Sequence, residues 1–205
     1  IAPYDAKNIY MVQLHNQNQK WSADRAPIIA LFNEYFGGGM NAIVFQELRE
    51  ARGLAYSASA VYASPYRLGG NESFYTYIIT QNDKMMDCIT EFNKLLNNVP
   101  VRQSGFDLAK QSLMKSLASQ RTTKYSILTS YLAAQRLGID YSLSEKIYNA
   151  LPSLQLQDVI NFEKEYIANK PFKYIILGNE KELDIKALEK IAPIKRVTTE
   201  EIFGY

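Results

Sequence analysis

The sequence predicts an α+β fold in which an antiparallel sheet carries helices on one face, as a two-layer sandwich. Its 205 residues are 47% hydrophobic and 21% charged, the composition of a globular protein with a proper core. Strand patterns come in runs separated from runs of helical patterns, which favours an antiparallel sheet over a regularly alternating parallel one. The chain contains neither a low-complexity linker nor a short repeat, so we predict a single domain over residues 1–205.

Strand and helix patterns mix in the first 80 residues. Residues 8–14 (NIYMVQL) predict a strand, and the polar residues 15–19 predict a connection after it. Residues 25–36 have the apolar spacing of a helix. The aromatic and β-branched segments 55–62 and 73–80 predict two strands that pair as an antiparallel hairpin.

Helical patterns dominate from residue 82 onward. Amphipathic helices are predicted at residues 83–96, 105–121, 124–137 and 154–168. A short buried strand, a helix and a last strand are predicted at residues 173–177, 184–190 and 194–198. These elements complete the predicted α+β order.

The segment 32–62 (FNEYFGGGMNAIVFQELREARGLAYSASAVY) carries the strongest local signals. The apolar residues Met40, Ile43, Val44 and Leu48 recur in it at helical spacing. Polar residues between them, Glu47 included, are therefore expected to face away from the core. The segment predicts a helix, a glycine turn after it and a strand.

Three consecutive glycines, Gly37, Gly38 and Gly39, precede this helix. They can end the previous helix and turn the chain, or they can let an extended ligand approach the backbone closely. A phosphate-binding P-loop is excluded because no Lys-Ser or Lys-Thr pair follows them.

Arg49 is predicted at the end of the helix and Tyr56 at the start of the following strand. Such positions commonly hold a solvated arginine and a half-buried tyrosine, and the spacing alone leaves that interpretation open. If both side chains face one cleft, the guanidinium and the phenol can bind a peptide carbonyl and stabilise an oxyanion. Arg52 competes with Arg49 for this role.

Metal and nucleophile chemistry has few candidates, because the chain has one histidine, His15, and one cysteine, Cys88. A zinc site needs several converging protein ligands, so we predict none in this chain. His15 is predicted as a hydrogen-bonded residue at a strand end and Cys88 as a buried apolar residue, with a hydrolase centred on His15 as an alternative. The net charge of +2 and the lack of a long apolar run predict no nucleic-acid partner and no transmembrane segment.

Segment 33–59 closely resembles the pitrilysin/insulinase-like zinc metallopeptidases, the inverzincins, and their relatives in mitochondrial processing peptidase. An FGGGM-like turn, an FQELRE-like helix and an RGLAYS-like strand recur together in that family. Its zinc-binding His-x-x-Glu-His motif is absent from this chain. The resemblance therefore implies the half without the metal, a chamber-forming, peptide-binding domain of a zinc metalloendopeptidase that holds no cofactor and no catalytic residue itself. The zinc would lie in a partner half, in the same longer chain or in a partner subunit.

The resemblance also implies roles for single residues. The C-terminal half of such enzymes often provides an arginine and a tyrosine, seven positions apart, that reach the substrate. Arg49 and Tyr56 have this spacing at the matching place in the motif. Arg52 and the three glycines are weaker candidates for contact with the substrate.

A second interpretation stays open, a structural or partner subunit of the same family that does not take part in catalysis. Residues 198–205 resemble the C-terminus of long bacterial members, so we expect the last domain of a longer multidomain protease. Because such members are commonly exported, the resemblance favours the periplasm over the cytoplasm.

Overall fold

The computed structural model describes residues 2, 3 and 7–204 of the chain. Within them, one sheet contains five strands in the order β1-β5-β2-β4-β3. All neighbouring strands are antiparallel except β1 and β5, which are parallel. The predicted α+β class is confirmed. The strands are β1 (Ala2–Pro3), β2 (Asn8–Lys20), β3 (Ser57–Ala63), β4 (Asn71–Gln81) and β5 (Lys173–Gly178).

Helices connect the strands and pack on the sheet. Two of them, α1 and α2, continue directly into wider π-helical segments, Asn33–Gly37 and Gln46–Ala51. The helices are α1 (Ala26–Phe32), α2 (Ile43–Phe45), α3 (Met85–Asn97), α4 (Gln103–Ala118), α5 (Lys124–Arg136), α6 (Leu143–Ala150), α7 (Leu156–Tyr166), α8 (Ile185–Ile191) and α9 (Thr199–Phe203). Within the described part of the chain, none of them is both long and apolar enough to cross a membrane.

The core lies between the helices and one face of the sheet. Along β4, Phe74 and Ile78 are buried whereas Tyr75 and Tyr77 are exposed, which is the alternation of a strand covered on one side. Aromatic rings connect the layers: the ring of Phe162 on α7 lies 4.9 Å from that of Tyr62 on β3 and 5.3 Å from that of Phe32 on α1. The β3–β4 hairpin is therefore held firmly against the helices.

A buried ion pair fixes the hairpin to the start of α1. Arg25 donates to Glu72 on β4, with Nη2 2.9 Å from Oε1, and the Tyr62 hydroxyl donates to Oε2 of the same carboxylate at 2.8 Å. Burial, and then the hydrogen bond to Glu72, raise the pKa of Tyr62 well above its ordinary value. The three groups satisfy one another's polar atoms inside the core.

Two sequence predictions of strand structure are wrong. Residues 15–19 extend β2 instead of ending it, because His15 and Asn16 stay in register with Phe74 and Ser73 of β4. Residues 194–198 form no strand, since the side of β5 away from β2 is already paired with β1. The helices α6 and α9 were not predicted as separate elements.

Candidate functional site

Arg49 and Tyr56, predicted from the sequence as a pair, lie side by side on one surface. The guanidinium carbon of Arg49 is 5.7 Å from the centre of the Tyr56 ring and 4.8 Å from that of Phe45. Both side chains are open to solvent, with 44% of Arg49 and 74% of Tyr56 exposed. The structure thus places a cationic fork and a phenol together at a position that is accessible to solvent.

The backbone of Tyr56 is held by the neighbouring strand although its side chain is exposed. Its N–H donates to the carbonyl of Ile79 on β4 at 2.8 Å, and Ser57 faces the same Ile79 in the strand register. The backbone contact with β4 thus extends one residue beyond the start of β3. The Tyr56 ring therefore projects outward from a rigid support.

Arg49 sits in the π-helical segment Gln46–Ala51, between the Phe45 and Tyr56 rings. A guanidinium stacked on ring faces keeps its N–H groups available in its own plane. Among the described residues, its ion-pair partner is Glu50, whose Oε1 lies 3.7 Å from Nε. This long, exposed pair contributes little to stability, so the fork can turn to a bound acceptor.

A shallow hollow of about 330 Å³ adjoins Tyr56. It is open to solvent and is lined by Asn8, Gly53, Leu54, Ala55, Tyr56, Gln81 and Lys84. Lys84 donates from Nζ to the carbonyl oxygen of Gly53 at 3.1 Å, so its ammonium is held at the wall of the hollow. The hollow brings backbone and side-chain polar groups next to the exposed phenol.

Arg52, the weaker candidate, is bound to carboxylates of its own domain. It donates to Glu47, and its Nε lies 3.2 Å from Oε2 of Glu91. Arg102 donates to the other oxygen of Glu47. Burial opposes the ionised form of Glu47, but the two guanidinium groups outweigh it and lower the pKa of this carboxyl. The expectation that Glu47 faces away from the core is wrong, because two arginines compensate its buried charge.

The three glycines have different surroundings. A Cβ on Gly37 would lie 1.8 Å from the carbonyl oxygen of Ala60, so only glycine allows this close packing against β3. Gly39 has a φ of +83° and nothing within 4 Å of its Cβ position, so it turns the chain in open space. Nearby, the side-chain amide of Asn33 bonds both the N–H and the carbonyl of Tyr62, at 2.8 and 3.0 Å, at the free edge of β3. Gly37 and the Asn33 side chain therefore cover the edge of β3 that faces away from β4.

The residues that the structure describes do not fit a zinc site. His15 makes a hydrogen bond through Nδ1 to the carbonyl oxygen of Pro171, at 2.7 Å. Burial raises the pKa of the Cys88 thiol to about 12, so it stays protonated and is a poor metal ligand. Over residues 7–204, no three His, Cys, Asp or Glu side chains come together in a group that could hold a metal.

A comparison with models of protein families shows to which family the chain belongs. Residues 5–113 match the model of the peptidase M16 inactive domain. This chain belongs to that family. The predicted resemblance to the pitrilysin/insulinase-like zinc peptidases and to mitochondrial processing peptidase is confirmed. No curated protein matches the chain.

Solved structures share the fold of this M16 inactive domain at low sequence identity. A peptidase M16 inactive domain from Pseudomonas fluorescens has a TM-score of 0.72 at 18% identity, covering 87% of this chain and 42% of its own. A protease from Helicobacter pylori has a TM-score of 0.67 at 15% identity, covering 87% and 43%. Complex III2 from Candida albicans contains a similar chain, with a TM-score of 0.64 at 13% identity, covering 94% and 49%. The present chain therefore spans about two fifths of the first two structures.

Sequence patterns missed two residues at the site of this M16 inactive domain. Phe45, taken only as part of a helix, forms the second ring beside Arg49. Lys84 lies three residues beyond the end of β4, and the antiparallel register brings it next to the turn before β3. The predicted hairpin contained the signal for Lys84, since the end of one strand lies beside the start of the other.

Proposed function

We propose that this M16 inactive domain is a wall of a peptide-binding chamber in a zinc metalloendopeptidase and contacts the substrate through Arg49 and Tyr56. The observation that carries the proposal is the stacking of the exposed Tyr56 ring against the Arg49 guanidinium, 5.7 Å apart. The position of Arg49 in a π-helical segment adds to it, because such segments often occur at functional sites.

In this proposal the two side chains act as hydrogen-bond donors. The Tyr56 hydroxyl and the Arg49 N–H groups would bind a peptide carbonyl, and the same bonds would strengthen as negative charge develops on its oxygen. Neither group needs to gain or lose a proton for this role. The domain would orient and stabilise the peptide, while the bond-breaking groups lie elsewhere.

The remaining parts of the enzyme belong to a partner half. Because the described residues form no group that could hold zinc, we place the metal in that half, in the same longer chain or in another subunit. The length of two related structures, of which this chain covers 42% and 43%, supports a longer protein that contains these residues as one part. The exposed side of the sheet offers apolar surface of the kind that packs on another domain.

Turnover of an unstructured peptide by the full-length protein tests this proposal. We expect Tyr56→Phe to lower kcat on the order of 100-fold, the usual effect of removing one donor to a developing oxyanion. The matched control is Tyr125→Phe, which removes the hydroxyl of an equally exposed tyrosine on α5 and should leave kcat unchanged. Unaltered turnover in Tyr56→Phe, or no cleavage by the wild-type protein, would contradict the proposal.

A further inference from the structure

A second hollow lies next to the hollow beside Tyr56, at the same end of the sheet. The second hollow has a volume of about 250 Å³ and is lined by Lys7, Gln81, Asn82, Asp83 and Glu182. Gln81, the last residue of β4, lines both. The two hollows therefore adjoin each other at Gln81, and together they are called the groove below.

The strand order sets the direction and length of this groove. Tyr56 precedes β3, Gln81 ends β4 and faces Asn8 at the start of β2, and Glu182 follows β5. The groove thus crosses the sheet end from β3 to β5, which is three strand spacings or about 14 Å. An extended peptide covers this distance with about four residues.

The charge of the lining changes sign along the groove. Lys84 is the charged residue among those lining the hollow beside Tyr56, and its ammonium is held by the Gly53 carbonyl. The far hollow has two carboxylates, Asp83 and Glu182, against the single cation Lys7. The Asn82 amide donates to Glu182 and holds that carboxylate in place. The near end is therefore cationic and the far end is acidic.

We infer that this groove selects the charge of substrate side chains next to the bond held at Tyr56. An acidic side chain would be favoured within one or two residues of that bond, beside Lys84. A basic side chain would be favoured about four residues away, beside Glu182. The inference rests on the proposed function, because it takes Tyr56 as the contact with the scissile carbonyl.

The test measures kcat/KM of the full-length protein on peptides that share one cleavage site and carry Glu, Gln or Lys at each adjacent position. We expect the Glu peptide to exceed the Lys peptide about fivefold at one of these positions, the upper end of the effect of an exposed charge pair. Lys84→Glu should reverse this order, and Lys84→Met should abolish it. The control Lys115→Glu changes the net charge equally at an exposed site on α4 and should leave the order unchanged.

The outcomes separate this inference from the proposed function. Equal cleavage of the three peptides, or an order that Lys84→Glu does not alter, overturns the charge selection. If Tyr56→Phe then still slows cleavage of every peptide alike, the proposed function stands without the selection. No cleavage of any peptide by the wild-type protein overturns both.

Discussion

At the scale of single residues, Glu47 and Arg49 have opposite roles although they lie on one short helical segment. Glu47 is buried and is bound by Arg52 and Arg102, so it holds its own domain together. Arg49 makes only a long contact with Glu50 among the described residues and stacks on two rings. Helical spacing predicted both as outward-facing, because the compensating Arg102 comes from a distant part of the chain. Partners of this kind are not visible in a local pattern.

Glu163 on α7 provides a prediction about pH. Its side chain is 1% exposed, and one of its oxygens has no partner among the described residues. Burial raises the pKa of Glu163 from 4.5 to about 7. Because the folded-state pKa lies above the unfolded value, folding should lose stability as pH rises from about 4.5 to about 7, by on the order of 3 kcal/mol.

Urea unfolding at pH 5 and pH 8 measures this effect. Wild-type protein should be less stable at pH 8, whereas Glu163→Gln, which stays neutral, should keep its stability. Glu165→Gln changes an exposed carboxylate on the same helix and should behave like the wild type. The same loss of stability in wild type and Glu163→Gln would show that another group titrates.

At the scale of elements, the glycine turn explains how helix and hairpin fit together. The sequence left two roles for the three glycines, a tight turn or close approach of a ligand. The structure gives Gly37 a packing role against Ala60 of the edge strand β3. Contact of these glycines with a substrate stays a prediction, and Gly39 is the member of the three in open space.

Alanine substitutions distinguish the glycines by stability. Gly37→Ala should destabilise the domain by about 3 kcal/mol, because its Cβ would overlap the backbone of Ala60 and force the helix away from β3. Gly39→Ala should cost only about 1 kcal/mol, the strain of a positive φ in open space. Thermal unfolding of both variants measures the difference, and equal losses would contradict the packing role.

The central elements of the fold could be predicted because their signals are local. Alternating apolar residues fixed the hairpin, since 55–62 and 73–80 correspond to β3 and β4. Two features could not be predicted, because they depend on pairing between distant strands. The polar end of β2 forms a strand because it pairs with β4, and residues 194–198 form none because β1 already pairs with that edge of β5. The site followed the same rule: Arg49 and Tyr56 lie close in sequence, whereas Lys84 reaches the site only through the sheet.

At the scale of the whole molecule, the domain is covered on one side only. Its helices pack on one face of the sheet, while Tyr75, Tyr77 and Ile175 are exposed on the other. Two of the related structures are more than twice as long as the part that this chain matches. Both observations agree with the proposal that the domain works against a partner half, and the Arg49–Tyr56 surface would then face the space between them.

Photo-crosslinking from position 56 tests this account most directly. One variant of the full-length protein would carry benzoylphenylalanine in place of Tyr56, and a control variant would carry it in place of Tyr125. Each variant would be irradiated with a bound peptide. We predict a covalent peptide adduct at position 56 that excess unlabelled peptide suppresses, and none at position 125. Equal labelling at both positions, or labelling at neither, would contradict the role of this surface in binding substrate.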